Sequence, residues 1–496
     1  MDKRPNIVFL LSDDHGYWGM GCAGNAEIQT PHLDRLAREG TRFENAFCAS
    51  PVCSPARMSI FTGKIPSRHG VHDWLAKGHL DEEVLSAELR DAFREPNPAW
   101  EYVWPKNQLQ GDRAIRFLDG HDTFTRHLAD SGYTCGISGK WHMGDSYTPQ
   151  AGFTYWKTVA MGGENYYYPV VLEGDEMVLK RGQYVTDIIT DNALRFLEEQ
   201  KGKDTPFYLS VHYTAPHAPW QREHHPAAYY DRYEDCPFAS VPDVPPHPWS
   251  DLKDKTPAEM AALRRTYLQG YFAAITAMDA GIGRILAALE EAGLQENTLI
   301  LFSGDNGMSM GHHGIFGKGN GTFPMNMYDT AVKVPLIGSQ PGRVAQNVCR
   351  EELVSHYDLF PTILEWAGVP YEPDPALPGR SFVPLLKGET TAAREDVVVF
   401  DEYGPVRMIR TREWKYVHRY PYGPHELYDL RRDPGEEHNC IDEPSAQSVR
   451  EELLDRLTRW YLQYADPACD GRGEAVHGIG QIGRAGAAAG GKPAFR

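Results

Sequence analysis

Along most of the chain, short unbroken apolar runs alternate with longer segments whose apolar positions return at helical spacing, and each run stops at a polar or charged cluster. Residues 6–12 form the first run, suited to a strand buried on both faces, and it ends at Asp13-Asp14-His15-Gly16. Thr30-Pro31 then offers an N-cap and a first-turn proline, Leu33, Leu36 and Ala37 supply an apolar stripe, and Gly40 closes the helix. A second helix is predicted from Cys53 to a stop at Gly63. The pattern then repeats. A helix over 121–130 precedes a strand over 133–138 that ends at Gly139-Lys140-Trp141-His142. An amphipathic helix over 184–200 precedes a strand over 206–213 that leads to Pro216-His217-Ala218-Pro219. A long helical pattern over 257–292, with Gly281 as its expected break, precedes a strand over 298–302 that ends at Gly304-Asp305-Asn306.

Each of these strands delivers a polar motif at its carboxyl end. Alternating helix and strand predict an α/β fold, a large mixed, mostly parallel sheet sandwiched by helices, in which ligands bind beyond the carboxyl ends of the strands. After about residue 385 the texture changes. Strand candidates at 397–401, 406–410 and 415–419, divided by Gly, Pro and charged turns, predict a smaller C-terminal α+β domain carrying an antiparallel sheet, closed by a helix over 445–464. The expected division is 1–385, 386–470 and a Gly/Ala-rich tail, 471–496, read as irregular or mobile. A chain of 496 residues exceeds the size at which one core stops growing, about 250–300 residues.

Composition narrows the function classes. The net charge of −18 opposes nucleic-acid or anionic-membrane binding as the main task. The eight cysteines include no C-x-x-C pair, so neither a zinc ribbon nor a redox dithiol is indicated, and free thiols in a reducing compartment fit best. Met1-Asp2-Lys3-Arg4-Pro5 runs straight into the first strand with no secretory pattern, and no uninterrupted apolar stretch approaches the roughly 20 residues of a membrane span; the expected location is cytoplasmic.

The chemistry concentrates at a few positions. Cys53-Ser54-Pro55-Ala56-Arg57 places a thiol at a helix start, where free N–H groups and an arginine one turn on favour negative charge, so an anion is expected there. Asp13, Asp14, Asp305 and Asn306 are oxygen ligands from two strand ends and suit a hard cation, calcium or magnesium; each doublet alone would serve equally as a helix or turn cap. The Gly-rich segment 304–321 contains Lys318 but lacks the spacing of a phosphate-binding Walker loop, and Asp305-Asn306-Gly307 lacks that of an EF-hand.

Residues 5–14, the C-x-P-x-R pentapeptide and Gly304-Asp305-Asn306-Gly307, in that order, resemble the type I sulfatases of the alkaline phosphatase superfamily, and the resemblance covers roughly residues 5–440. It implies that Cys53 is oxidised to formylglycine by a formylglycine-generating or anaerobic sulfatase-maturating enzyme, and that the aldehyde hydrate is the nucleophile. It favours calcium, held by Asp13, Asp14, Asp305 and Asn306 and touching the side chain at position 53. Arg57 and Lys140 are then expected on sulfate oxygens, His142 near the hydrate or the leaving oxygen, and His217 or Lys318 as the proton donor to the leaving alcohol.

The expected activity is hydrolysis of a small sulfate monoester, a sulfated sugar or an aryl sulfate, to an alcohol and inorganic sulfate. For substrate binding the sequence offers His72, Asp73 and Trp74 after the nucleophile helix, with His313 as pocket lining; Trp100, Tyr102, Trp104 and Tyr166-Tyr167-Tyr168 are candidate walls. The rival readings are a phosphonate or phosphate ester hydrolase on the same scaffold, an anion-binding protein without catalysis if Cys53 stays a thiol, and a thiol hydrolase pairing Cys53 with His142. An insertion near 96–119 and a Pro/His-rich stretch over 224–247 depart from the family pattern.

Overall fold

The computed structural model describes residues 3–94, 113–163, 165–392, 394–401, 405–471 and 480–495. In chain order its strands are β1 (Asn6–Ser12), β2 (Thr41–Phe47), β3 (Thr134–Lys140), β4 (Tyr155–Val159), β5 (Val170–Glu173), β6 (Glu176–Leu179), β7 (Phe207–His212) and β8 (Thr298–Gly304). A short hairpin of β9 (Ser309–Met310) and β10 (Phe316–Gly317) precedes β11 (Leu336–Ser339) and β12 (Val348–Ser355). Ten of these form one sheet in the order β12-β2-β11-β8-β1-β7-β3-β4-β5-β6. The central β8, β1, β7, β3 and β4 are mutually parallel, while β11 on one side and β5 on the other run antiparallel to them, and β6 pairs antiparallel with β5.

The unbroken apolar run of β1 follows from cover on both sides. All seven of its residues are buried. The period of two sends Ile7, Phe9 and Leu11 into one core with Phe61, Phe124 and Trp141, and Val8 and Leu10 into the other with Ile189, Phe196, Met278 and Ile282. The second core includes the helix Pro257–Glu291, which starts with a Thr256/Glu259 capping box and runs 35 residues without the break expected at Gly281. Gly281 serves a helix contact instead: a Cβ there would lie 2.5 Å from Thr190 Oγ1 on the helix Val185–Gln200. By length and composition this long helix could cross a bilayer, but 72% of its apolar window is buried in the fold, as in a core helix.

Beyond the main sheet, β13 (Asp396–Asp401), β14 (Val406–Thr411), β15 (Trp414–Arg419) and β16 (Glu426–Asp429) form an antiparallel sheet. The helix Gln447–Tyr464 lays Leu453 and Leu457 on Val398, Ile409, Tyr416 and Leu427. Lys415 ties this sheet to the larger unit, donating to Met327 O at 2.9 Å and pairing with Asp329 at 2.6 Å and with Glu436. Residues 480–495 of the tail are irregular but packed, with Gln481, Ala485 and Ala494 buried. All eight cysteines are free thiols.

Candidate active site

Neighbouring strands bring the polar motifs to one edge of the sheet. Leu11 pairs with both His212 and Ser303, and Gly139 pairs with His212, so Asp13-Asp14, Asp305-Asn306, Lys140 and the loop bearing His217 leave the sheet together. The helix Cys53–Thr62 supplies the centre. Val52 before it is extended, Cys53 is its first residue, and all ten of its residues are buried. Pro55 lies in the first turn, where a missing N–H breaks no helical bond, and the free amides and dipole of that turn favour negative charge beside Cys53.

Lys318 Nζ lies 2.8 Å from Cys53 Sγ and 2.5 Å from Asp14 Oδ1, and that oxygen is 3.9 Å from the sulfur. Asn306 Nδ2 donates to the same Asp14 oxygen at 2.9 Å. Lys140 Nζ reaches Asp13 Oδ2 at 2.5 Å. Arg57, fully buried, donates from Nε to Asp305 Oδ2 and from Nη1 to Lys140 O, each at 2.9 Å, while its Nη2 has no hydrogen-bond partner among the described residues. His217 is the more open member: its ring is 27% exposed and its Nε2 stands 3.6 Å from Asp14 Oδ2.

The donor set fits a hard divalent cation. Ligand atoms of Asp13, Asp14 and Cys53 lie within 4.8 Å of one another, and Asp13 Oδ1 and Asn306 Oδ1 are buried oxygens without a hydrogen-bond partner among the described residues. Electrostatics point the same way. Burial, and then the charge of Asp305, push Asp13 up from the usual carboxylate range. Burial also opposes ionisation of Asp14 and Asp305, but Lys318 and His217 outweigh it at Asp14, and Arg57, Lys140 and Lys318 hold Asp305 well below that range. Burial pushes the Cys53 thiol up to about 12, a neutral sulfur at physiological pH and a poor nucleophile, which argues against the thiol-hydrolase reading.

His142 takes a left-handed backbone with φ 56° and donates from Nε2 to Leu75 O at 3.1 Å, leaving Nδ1 buried without a hydrogen-bond partner among the described residues. Burial, with Lys140 and His79 nearby, keeps the ring neutral by holding its pKa well below the usual histidine value. Several contributors lie outside the catalytic and metal-binding residues expected from sequence. His212 Nδ1 donates to Lys140 O at 3.1 Å; Tyr271 Oη donates to Asp14 O and accepts from Gly16 N, both at 2.9 Å; Tyr166 Oη donates to His217 O at 2.8 Å. Gly162 gives His142 its space, since a Cβ there would sit 2.1 Å from Nε2. His212 carried a readable signal, because it is the last residue of β7 just as Lys140 is of β3.

The expected substrate-binding residues are placed elsewhere. His72 and Asp73 are buried against the tail, and the Asp73 carboxylate accepts from Trp74 N at 2.6 Å and Gly480 N at 2.9 Å. The Trp74 ring borders Gly480. His72 and Asp73 therefore fasten chain segments together, which corrects their reading as ligand contacts, while Trp74 stays half-buried. His313 stacks on Tyr328 at 3.7 Å and lines a cavity of about 740 Å³ with Tyr17, His247, Trp249 and Glu436, and none of the residues around Cys53 lines it. Tyr166 is buried against Tyr184 and His225 behind the His217 loop, and Tyr167 and Tyr168 are half-buried. Trp100, Tyr102 and Trp104 fall outside the described residues.

The segments that carry these side chains fall within regions matched by known proteins. The sequence profile of the Sulfatase family matches residues 5–369, and that of the N-sulphoglucosamine sulphohydrolase C-terminal region matches residues 311–463. The chain is 29% identical to the N-acetylglucosamine-6-O-sulfatase of Bacteroides thetaiotaomicron, over 94% of this chain and 87% of that protein. It is 26% identical to the N-sulphoglucosamine sulphohydrolase of Homo sapiens, over 94% and 91%. A protein solved in complex with its substrate, D-glucosamine-2-N,6-O-disulfate, superposes with a TM-score of 0.72 at 25% identity, over 94% of this chain and 99% of that one.

Proposed function

The chain belongs to the sulfatase family, and we propose that it releases sulfate from a sulfated amino sugar of the glucosamine type, with position 53 carried as formylglycine and calcium held by Asp13, Asp14, Asp305 and Asn306. One observation carries the reading: side chains from separate strand ends and from Lys318 surround Cys53 at the start of a buried helix. The substrate class rests on the glucosamine sulfates in the names of similar proteins.

Once oxidised and hydrated, position 53 supplies an oxygen nucleophile, and a cation in the donor set supplies positive charge against it and against sulfate. The remaining chemistry belongs to the chain. Lys140 and Lys318, each anchored on an aspartate at 2.5 Å, present N–H donors to sulfate oxygens whose charge grows as the ester bond breaks. The Asp305 carboxylate and the Lys140 carbonyl hold the Arg57 guanidinium, leaving Nη2 as its free donor. His217 Nε2, facing Asp14 and partly open to solvent, is placed to hand a proton to the departing oxygen. Cys53 is 2% exposed, so its conversion by a formylglycine-generating or anaerobic sulfatase-maturating enzyme precedes closure of this fold.

Sulfate release from glucosamine 6-sulfate, glucosamine N-sulfate, galactosamine 6-sulfate and nitrophenyl sulfate, beside nitrophenyl phosphate and phosphonate, tests the proposal. It predicts fastest turnover on a glucosamine sulfate. Faster turnover of the phosphonate would transfer the activity to the phosphorus esters.

A further inference from the structure

The tail supports the active site through Leu75. Residues 480–495 lie beyond both family-matched segments, which end at 369 and 463, yet Gln481 is fully buried. Its backbone bridges Leu75 in parallel fashion: Ala76 N donates to Gln481 O and Gln481 N donates to Trp74 O, both at 2.8 Å. In such a bridge the residue between the two bonded neighbours turns its own N–H and C=O the other way. Leu75 turns them toward the active site. Its N–H donates to Ser54 Oγ at 3.0 Å, next to Cys53, and its carbonyl accepts from His142 Nε2 at 3.1 Å and from His79 Nε2 at 2.8 Å.

The Gln481 side chain holds this segment in place. Oε1 accepts from His72 N at 2.8 Å and Asp73 N at 3.4 Å, and Nε2 donates to Gly70 O at 2.9 Å and to Gly483 O at 2.8 Å. Gly480 adds the bond from its N–H to the buried Asp73 carboxylate, at φ +105° with no room for a side chain, because a Cβ would meet that of Ala76 at 2.5 Å. The chain of contacts is direct: Gln481 orders 70–76, Leu75 stands between the nucleophile helix and His142, and its carbonyl fixes the proton of His142 on Nε2. That leaves Nδ1 as the acceptor.

We propose that Gln481 is a positioning residue for the sulfatase reaction, setting the orientation of His142 through Leu75. This rests on the sulfatase reading above. The test uses the full-length protein, with rates normalised to the aldehyde content of the Cys53 peptide by mass spectrometry. Gln481→Ala is expected to lower kcat about tenfold or more while KM stays within about twofold. Gln481→Met, which keeps the side-chain volume and loses the side-chain bonds without adding a buried charge, gives a loss of the same kind and serves if the alanine variant does not fold. In a His142→Ala background the effect of either change on kcat disappears, because it acts through that ring. Losses that multiply across the two backgrounds, or a rise in KM with kcat unchanged, overturn the proposal. Absence of sulfate release by the wild-type protein would instead defeat the sulfatase reading itself.

Discussion

Single residues here act through what they leave room for as much as through what they touch. Cys53 lies between a lysine and an aspartate, yet burial keeps it a neutral thiol, so the site needs an oxygen at that position before its charges have anything to stabilise. His142 needs the empty volume of Gly162. Gly162→Ala should push the ring off Leu75 O and lower kcat about 10–100-fold without loss of folding, measured by steady-state kinetics beside a thermal melt. Unchanged kcat would show that the ring has no positional demand. The aspartate doublets and the C-x-P-x-R pentapeptide were legible in sequence because each ends or begins an element with a sharp polarity change. His72 and Asp73 misled because their buried partners, the Gln481 side chain and the Gly480 N–H, belong to the tail and are invisible to any local pattern.

At the scale of elements, β1, β3, β7 and β8 were legible as apolar runs bounded by polar clusters, whereas the parallel β4 beside them was not. β2, with its TRFENAF alternation, and β11 and β12 lacked such runs and emerge only in the structure. Gly281 misled in the opposite direction, since a glycine that permits helix contact resembles one that ends a helix. Gly281→Ala should drive a methyl into Thr190 and cost about 1–3 kcal/mol of stability by denaturant titration, and a neutral result would mean that the two helices part freely. The helix Pro31–Arg38 is held by Asp279, which accepts from His32 N at 3.1 Å and Leu33 N at 2.8 Å. Burial raises this carboxyl to about 7, so the folded state retains a proton that the unfolded chain releases above the ordinary carboxylate value of 3.8. Its ionisation therefore removes stability as pH rises from about 4 through 7. Replacing it by neutral asparagine should make the variant gain on wild type in unfolding midpoint across that window; a pH-independent difference would contradict the assignment.

For the whole molecule, the neighbouring parallel strands explain why residues hundreds of positions apart share one site, and the tail, beyond both family-matched segments, packs against the segment that carries Leu75. The tail was the least legible part. Gly/Ala-rich sequence has no periodicity to reveal a partner, and only the fold shows Gln481 buried. The oxygen donor set gives a further expectation: a chelator should abolish sulfate release and lower the melting temperature, and calcium should restore both, in line with ligand binding to the native state alone. Activity indifferent to chelation would remove the metal from the account.

The central claim is that the oxidised side chain at position 53 carries the reaction. It is tested most directly by measuring the rate of sulfate release across preparations whose Cys53 peptide contains different fractions of aldehyde. The account predicts a rate proportional to that fraction, falling to zero for the pure thiol and for Cys53→Ala. A rate independent of the fraction, or one that survives in the thiol form and is destroyed by alkylation, would contradict it.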